Sequence, residues 1–585
     1  MKKTLPMLAI VLLLVGCGQT MIQGNNNASD DVKLEVKDET YIGADFSSGI
    51  YCYQLSQTFN DSPNTIESWV RLGKLANNEN GGVIFGNYEY YNYNGVKVEV
   101  NNDRQIMINW NQGQAIALFD EYKLATDEWT HICVVRDVNK GAFNLFVNGV
   151  LTQSINAYVG TDAISTYKFI IGSDWSNWRV PKNPFKGEIG QVTVYSSSLD
   201  SRAIYKDYIY GDKINGLTRE KLLFNGELSF NAKNVIDTSK YANDAVVKSI
   251  DYLYDGEIFE AKDYSLAIIP DPQLMSHWRQ GNLPSISQYI IEKDMDHNVA
   301  LTLCVGDNAD GVNSSYPEYD MDYQLKAIKK EYDKLADAGI RWITTPGNHD
   351  YDDNATKTRN LAYYNKYFSA AEISSFDYYG GFYGRNQTQN AYYMFEESGI
   401  NYLVVSLEFG ADDNVLNWAN EVVEDYPDHR VIVYTHAYIG GDGEVIKKNG
   451  THSPVTYGFA KYVQVNSPEE IFDKFISRHK NIFMVFSGHV PSDDILMRED
   501  TGDYGNTILS FLIDTQGVLS AGHDSFISMI QFDELNQTIS VNLETATNRK
   551  LYNIQNQFTY SFEGNTDILS SIYYDEDGNL RDEYL

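Results

Sequence analysis

The sequence predicts a multidomain chain, with an N-terminal all-β sandwich joined to a C-terminal α/β domain. Three observations carry that expectation. The 585 residues exceed one compact domain of about 150 severalfold. From about 40 to 210, short runs of alternating polarity recur between clusters of Gly, Asn and Asp, the pattern of half-buried antiparallel strands. Beyond about 259, apolar runs alternate with helical patterns, and nine of the ten histidines lie from His277 onward. A metal or acid-base site belongs to that second half if anywhere.

Composition narrows the class further. With 43% hydrophobic and 13% aromatic residues, including 44 Tyr, the chain is neither disordered nor collagen-like. Lys+Arg 46 against Asp+Glu 80 leave a net charge of -34, which argues against nucleic acid as a general partner. At the N-terminus, Lys2 and Lys3 precede an apolar run from Leu5 to Val15, too short to span a bilayer and suited to an export signal over 1–16. Leu14-Val15-Gly16-Cys17 resembles the lipobox of bacterial lipoproteins. That resemblance implies cleavage before Cys17, a lipid on Cys17, a tether over 17–37 and a location outside the cytoplasm at the cell membrane. No later run offers the ~20 apolar residues of a transmembrane helix, so the lipid is the expected membrane contact.

The four cysteines exclude a disulfide scaffold. Cys304, inside ALTLCV, reads as a small buried hydrophobe. Cys52 and Cys133 are left open, as a pair or as separate thiols, because sequence does not set their separation.

In the N-terminal half, TIESWVRL, GVKVEVNN, HICVVRD, FNLFVNGVL and GQVTVYSSSL alternate with period two, as a two-sheet sandwich requires. Asn148-Gly149 suits a two-residue hairpin turn, since both positions tolerate positive φ. The stretch 38–210 resembles a laminin-G-like, concanavalin-type jelly roll through Thr65-Ile66-Glu67-Ser68-Trp69-Val70, Trp129-Thr130-His131 with the NLFVNG hairpin, and Phe185-Lys186-Gly187-Glu188-Ile189. The resemblance implies a glycan or surface-protein partner. Tyr88, Tyr90, Tyr91 and Tyr93, and the loop with Trp175 and Trp178, offer aromatic faces for sugars or ordinary strand packing. His131 reads as packed. Residues 211–258 read as a linker or an unassigned piece of either neighbour.

Over 259–550, five apolar runs end in groups able to do chemistry. YSLAII leads to Asp271-Pro272-Gln273, NVALTLCV to Gly306-Asp307-Asn308-Ala309-Asp310, and RWITT to Gly347-Asn348-His349-Asp350; RVIVYT leads to His436 and NIFMVFS to Gly488-His489. Helical patterns such as YDMDYQLKAIKKEYDKLADAG, NVLNWANEVVEDY and SPEEIFDKFISRH separate them, giving α/β alternation. In such sheets ligands gather at the carboxyl ends of strands, so these motifs should meet at one edge. Their oxygen and nitrogen donors suit divalent Zn, Mn or Fe, one or two ions, and a shared carboxylate can bridge two of them.

The ordered set resembles the calcineurin-like metallophosphoesterase superfamily over about 263–548. The resemblance implies a four-layered αββα sandwich and a phosphoester substrate. It implies that Asp271 binds the first metal, that Asp307 bridges, and that Asn348, His436 and His489 complete the second. His349 then contacts phosphate and protonates the leaving oxygen, with Asp310 holding its imidazole. Two positions depart from the pattern. The usual Asp-x-His reads Asp271-Pro272-Gln273, where the Gln273 amide oxygen remains a ligand for a hard ion, and the usual Gly-His-x-His reads Gly488-His489-Val490-Pro491, where Pro491 offers none. The first metal position is thereby thinned, with His277 and His452 as candidate replacements, each equally readable as an ordinary loop histidine or a substrate contact. The strands after His489 and an acidic tail over 551–585 finish the chain. The expected activity is metal-dependent phosphoester hydrolysis at the bacterial surface. The alternative is an adhesin-like binder whose phosphatase fold has lost its chemistry.

Overall fold

The computed structural model describes residues 44–562, apart from 60–61, 89–93, 112–114, 160–161, 176–180, 211–217, 223–233, 236–243, 251–252, 257, 260–261, 313–319, 386 and 517–524. The export signal 1–16, Cys17, the tether 17–37, Tyr90, Tyr91, Tyr93, Trp178, His523 and the tail beyond 562 lie outside the described residues.

Alternating side chains build the first domain. Ile66, Val70 and Leu72 from Thr65–Leu72 meet Val96, Val98 and Val100 from Val96–Val100 in one core between two antiparallel sheets. Among the described residues these sheets contain seven and eight strands. Val147 pairs with Val150 across Asn148 and Gly149, both at positive φ, as the hairpin turn demands. Cys52 and Cys133 are buried free thiols on different sheets, so the pairing left open by the sequence does not occur. His131 is buried, 3.6 Å from Glu67 and packed against Trp69 and Tyr208.

Two boundaries differ from the sequence expectation. The stretch 211–258 is no separate linker: Thr218–Leu222, Asn234–Val235 and Ala245–Ser249 are strands of the sandwich sheets. Ala245–Ser249 pairs along the whole of Tyr51–Leu55 and sends Ala245 and Val247 into the core. Five residues are too few for periodicity to reveal such a strand. Likewise 551 does not open a tail, because Leu551–Tyr552 and Phe558–Ser561 pair with Thr538–Thr545 and bury Tyr552 and Phe558.

The second domain stacks two mixed sheets, of eight and seven strands among the described residues, around a shared core. Helices Leu283–His297 and Met321–Asp337 pack on the first sheet and Asp413–Asp425 on the second, giving the αββα layering. Asp320, Asp412 and Ser467 cap the helices that follow them, each accepting from first-turn amides. In the first sheet Tyr264–Ile269, Val299–Cys304 and Trp342–Thr344 are adjacent and parallel. In the second, Ile400–Leu407, Arg430–Thr435, Ile482–Ser487 and Thr507–Leu512 are adjacent and parallel. No helix among the described residues is long and apolar enough to cross a membrane.

A buried ion pair ties the two sheets at the edge where the parallel strands begin. Arg430, fully buried, donates to Glu534 Oε1 at 2.6 Å and Oε2 at 3.3 Å and to the Tyr402 hydroxyl at 2.8 Å. The Tyr264 hydroxyl, from the first sheet, meets both Tyr402 and Glu534. The fork-to-carboxylate geometry offsets desolvation only while both partners are present.

Two outcomes follow for denaturant unfolding. Glu534→Ala strands the guanidinium and should cost about 3–5 kcal/mol, whereas joint Arg430→Met and Glu534→Leu replacement should cost less. A fragment of residues 44–210 should unfold at lower denaturant than one of 44–250, because only the longer one carries the strand beside Tyr51–Leu55.

Candidate metal centre

Each candidate ligand follows a strand by a few residues, and the parallel strands deliver them to one edge. Asp271 lies two residues past Tyr264–Ile269, Asp307 three past Val299–Cys304 and Asn348 four past Trp342–Thr344. From the facing sheet His436 follows Arg430–Thr435 directly and His489 lies two residues past Ile482–Ser487. Asp307 and His489 sit at φ 49° and 74°, where the chain turns sharply off its strand. Two motif glycines make the convergence sterically possible. A Cβ on Gly347 would stand 2.1 Å from Asp307 Oδ1, and one on Gly488 would stand 2.1 Å from Asp271 Oδ1.

Asp307, His436 and His489 place one ligand atom each within 4.8 Å of one another. His436 Nδ1 lies 2.9 Å from the Val305 carbonyl, which can only accept, so this nitrogen carries the proton. His436 Nε2 then turns its lone pair to Asp307 Oδ2 and Asn348 Oδ1, each 3.2 Å away. Three electron-pair donors meet there, and only a cation, proton or metal, satisfies all of them. The same logic orients His489. Its Nε2 donates to the His452 carbonyl at 3.1 Å, and its own amide donates to Asp271 Oδ2 at 2.9 Å, which leaves Nδ1 as the ligand atom. His452 thus serves through its peptide carbonyl rather than its ring.

The charges agree with this arrangement. Burial opposes ionisation of Asp307, but His436, His349 and His489 outweigh it and hold its pKa below the usual carboxylate range. Burial and then the His436 charge push His489 well below the ordinary imidazole value, leaving it neutral, the form that ligates. Burial, then the charges of Asp514 and Asp307, push Asp271 well above the carboxylate range. No donor reaches Asp271 Oδ1 or Gln273 Oε1 among the described residues, although both atoms are buried. These orphaned oxygens fit divalent ions better than any protein partner present.

His349 differs from the ligands in reaching solvent, with its side chain 33% exposed. Its Nδ1 donates to the Asp310 carbonyl at 3.0 Å and its amide to Asp307 Oδ1 at 2.9 Å. Asp310 therefore holds the imidazole through its peptide oxygen, while its carboxylate stands 3.7 Å off and pairs more closely with His277 Nδ1 at 2.7 Å. His277, one of the candidate replacements, is instead committed to Asp310. In the sandwich, Tyr88 and Trp175 are buried, and the Trp175 indole donates to the Lys168 carbonyl.

Sequence reasoning missed Asp350 and Asp514. Asp350 is fully buried and accepts from the amides of Gly347, Asn308 and Ala309 and from the Asn308 side chain, at 2.9–3.1 Å. It locks the loop carrying Asp307 to the loop carrying Asn348. Asp514, buried, accepts from the amide and side chain of Gln516. It ends the apolar run NTILSFLI just as the recognised acids end theirs, which was the available signal. Asp350→Asn, which loses one acceptor oxygen, should cost about 1–3 kcal/mol in denaturant unfolding of the metal-free chain.

Comparisons with known proteins agree with the two halves. Residues 46–204 match the profile of the concanavalin A-like lectin/glucanases superfamily, and residues 264–493 match that of calcineurin-like phosphoesterases. The uncharacterized protein YvnB of Bacillus subtilis (strain 168) is 24% identical over 323 residues, 54% of this chain but only 23% of that protein. A putative carbohydrate binding protein from Bacteroides ovatus is 15% identical over 36% of this chain and 60% of its own, with a TM-score of 0.28. A SAP-like pentraxin from Limulus polyphemus is 14% identical over 32% of this chain and 90% of its own, with a TM-score of 0.25. Structural similarity that low bears on no property of this chain. The converging strand-end ligands and the two profile matches together make this chain a concanavalin A-like sandwich followed by a calcineurin-like phosphoesterase domain.

Proposed function

We propose that the chain is a metal-dependent phosphoester hydrolase, exported and held outside the cytoplasm by a lipid on Cys17, with its sandwich recruiting a glycan or surface protein. The observation that carries the catalytic part is His436 Nε2 facing Asp307 and Asn348 with His489 beside them. Asp307, Asn348, His436 and His489 would hold one ion, and Asp271, Gln273 and shared Asp307 would contribute to another. Divalent ions such as Zn, Mn or Fe supply, when bound, charge neutralisation of the phosphate and acidification of water.

The chain's own work is orientation and proton transfer. Nδ1 of His349 is committed to the Asp310 carbonyl, so Nε2 is the nitrogen that meets substrate. In its protonated form Nε2 hydrogen-bonds the phosphate and gives its proton to the departing oxygen. The Asp310 carboxylate stands 3.7 Å from His349 Nδ1 and is itself fixed by His277. Because the ligands are buried and His349 is not, substrate approaches from the His349 side.

A cleft of about 460 Å³ between the domains supports the recruiting role; Tyr167, Lys168 and Trp175 of the sandwich face Asp493, Asp494 and Asn553 across it. Asp493 and Asp494 follow His489 closely in sequence, so a glycan held there would lie near the loop that carries His489. Pro491, where a second histidine is usual, favours the inert adhesin-like reading.

The test is hydrolysis of p-nitrophenyl phosphate and bis-p-nitrophenyl phosphate with added Mn or Zn. His349→Gln should lower kcat by about 10²–10⁴ with metal content unchanged. His436→Ala should lose the ion that His436 and His489 would share, and turnover with it. Absence of turnover in the metal-replete chain, across a nucleotide panel as well, would establish the binder instead. Radiolabelled palmitate incorporation that survives Cys17→Ala would refute the anchor.

A further inference from the structure

The thinned first metal position raises the question of what replaces the absent histidine. Strands Ile482–Ser487 and Thr507–Leu512 run parallel with Ser487 opposite Leu512. His489 and Asp514 therefore occupy equivalent places, each two residues past a strand end on neighbouring strands. The chain between them is also pinned, since the Ser492 amide donates to the Asp514 carbonyl at 2.8 Å and the Ile513 amide to the Ser487 carbonyl at 2.9 Å. Asp514 thus lies one residue from Pro491 in space, although it lies 23 residues away in sequence (514 minus 491).

Asp514 is buried, and the Gln516 side chain joins its Oδ2 to the side chain of Gln273, two residues from the buried Asp271. Two buried carboxylates side by side need something positive between them. The surrounding amides show which way the oxygens face. Asp514, as a carboxylate, only accepts, so Gln516 must turn its NH₂ to Asp514 Oδ2, at 2.9 Å. The Gln516 carbonyl oxygen then faces Gln273, which must answer with its own NH₂. That relay leaves Gln273 Oε1 as the atom no donor reaches, buried as Asp271 Oδ1 is.

We propose that Asp514 takes the place of the absent histidine, so that the first metal position is an all-oxygen site formed by Asp271, Asp307, Asp514 and the amide oxygen of Gln273. The assignment rests on the phosphoesterase reading above and adds to it the nature of the first ion. Oxygen donors without nitrogen select a hard cation, Mn²⁺ or Mg²⁺, whereas the second position, with two imidazoles, keeps the affinity for Zn²⁺. The two positions of this chain are chemically unlike. Gln516 is a positioning residue, acting on the ion only through the orientation of Gln273 and Asp514.

The experiment uses the metal-free full chain titrated with Mn²⁺, reading ions per chain by elemental analysis and the exchange coupling between paired ions by electron paramagnetic resonance. The wild-type chain should bind two coupled Mn²⁺ ions. Asp514→Ala and the near-isosteric Asp514→Asn should keep one, with an uncoupled signal and unchanged circular dichroism. Gln516→Leu should weaken the first ion about 10–100-fold. Asp514→His should restore two ions and shift the first position toward Zn²⁺. Two coupled ions at wild-type affinity in both Asp514→Ala and Asp514→Asn would overturn the assignment. A wild-type chain that binds no divalent ion, or a His436→Ala chain that keeps both, would instead overturn the phosphoesterase reading on which it rests.

Discussion

Everything in the phosphoesterase-like half depends on two β-sheets holding their strand ends against each other. Asp271, Asp307 and Asn348 come from three adjacent parallel strands of one sheet, and His436 and His489 from adjacent parallel strands of the other. Ions shared by both sets require the sheets to keep a fixed spacing and register, because ligand distances tolerate only tenths of an ångström. At the far edge the Arg430–Glu534 pair with Tyr264 and Tyr402 clamps the same two sheets. At the near edge the His489 amide on Asp271 and the Asp350 carboxylate between two loops hold the ligands directly.

The buried charges make sense in that frame. Burial first, then the charges of Asp514 and Asp307, hold Asp271 well above the carboxylate range, and burial raises Asp514 against the hydrogen bonds it accepts from Gln516. Asp307 has the imidazoles around it and stays ionised. With a net charge of -34, a cation at this edge would relieve the buried acids. Not every strand-end acid belongs to that set. Glu408 follows Ile400–Leu407 yet is taken up by Tyr351, Asn390 and Arg359.

The sandwich is joined to this machinery more intimately than a flexible tether would be. Ser249 Oγ donates to Asn553 Oδ1 at 2.5 Å and accepts from the Ile554 amide at 2.9 Å, while Tyr254, Leu551 and Ile554 complete the sandwich core. Asn553 in turn donates to Asp494, in the loop that follows His489. The segment from 551 to 556 is therefore a wedge between the binding-type domain and the catalytic loop, and it orients the cleft between them.

By itself the sequence marked the all-β and the α/β halves and the candidate ligands, because both signals are local. Period-two alternation marks half-buried strands, and a polar group placed directly after an apolar run marks a strand end, so Asp271, Asp307, Asn348, His436 and His489 were legible one motif at a time. The tertiary structure alone decided what depends on partners distant in the chain. It gave Ala245–Ser249 to the sandwich, where a five-residue strand has meaning only beside Tyr51–Leu55. It turned Asp310 toward His277 as well as His349, and set Asp514 beside Asp271 across 243 residues (514 minus 271). The reason is physical: a hydrogen bond or a shared ion is defined by ångström separations that sheet pairing creates, and no local pattern along the chain encodes which strand ends will be neighbours.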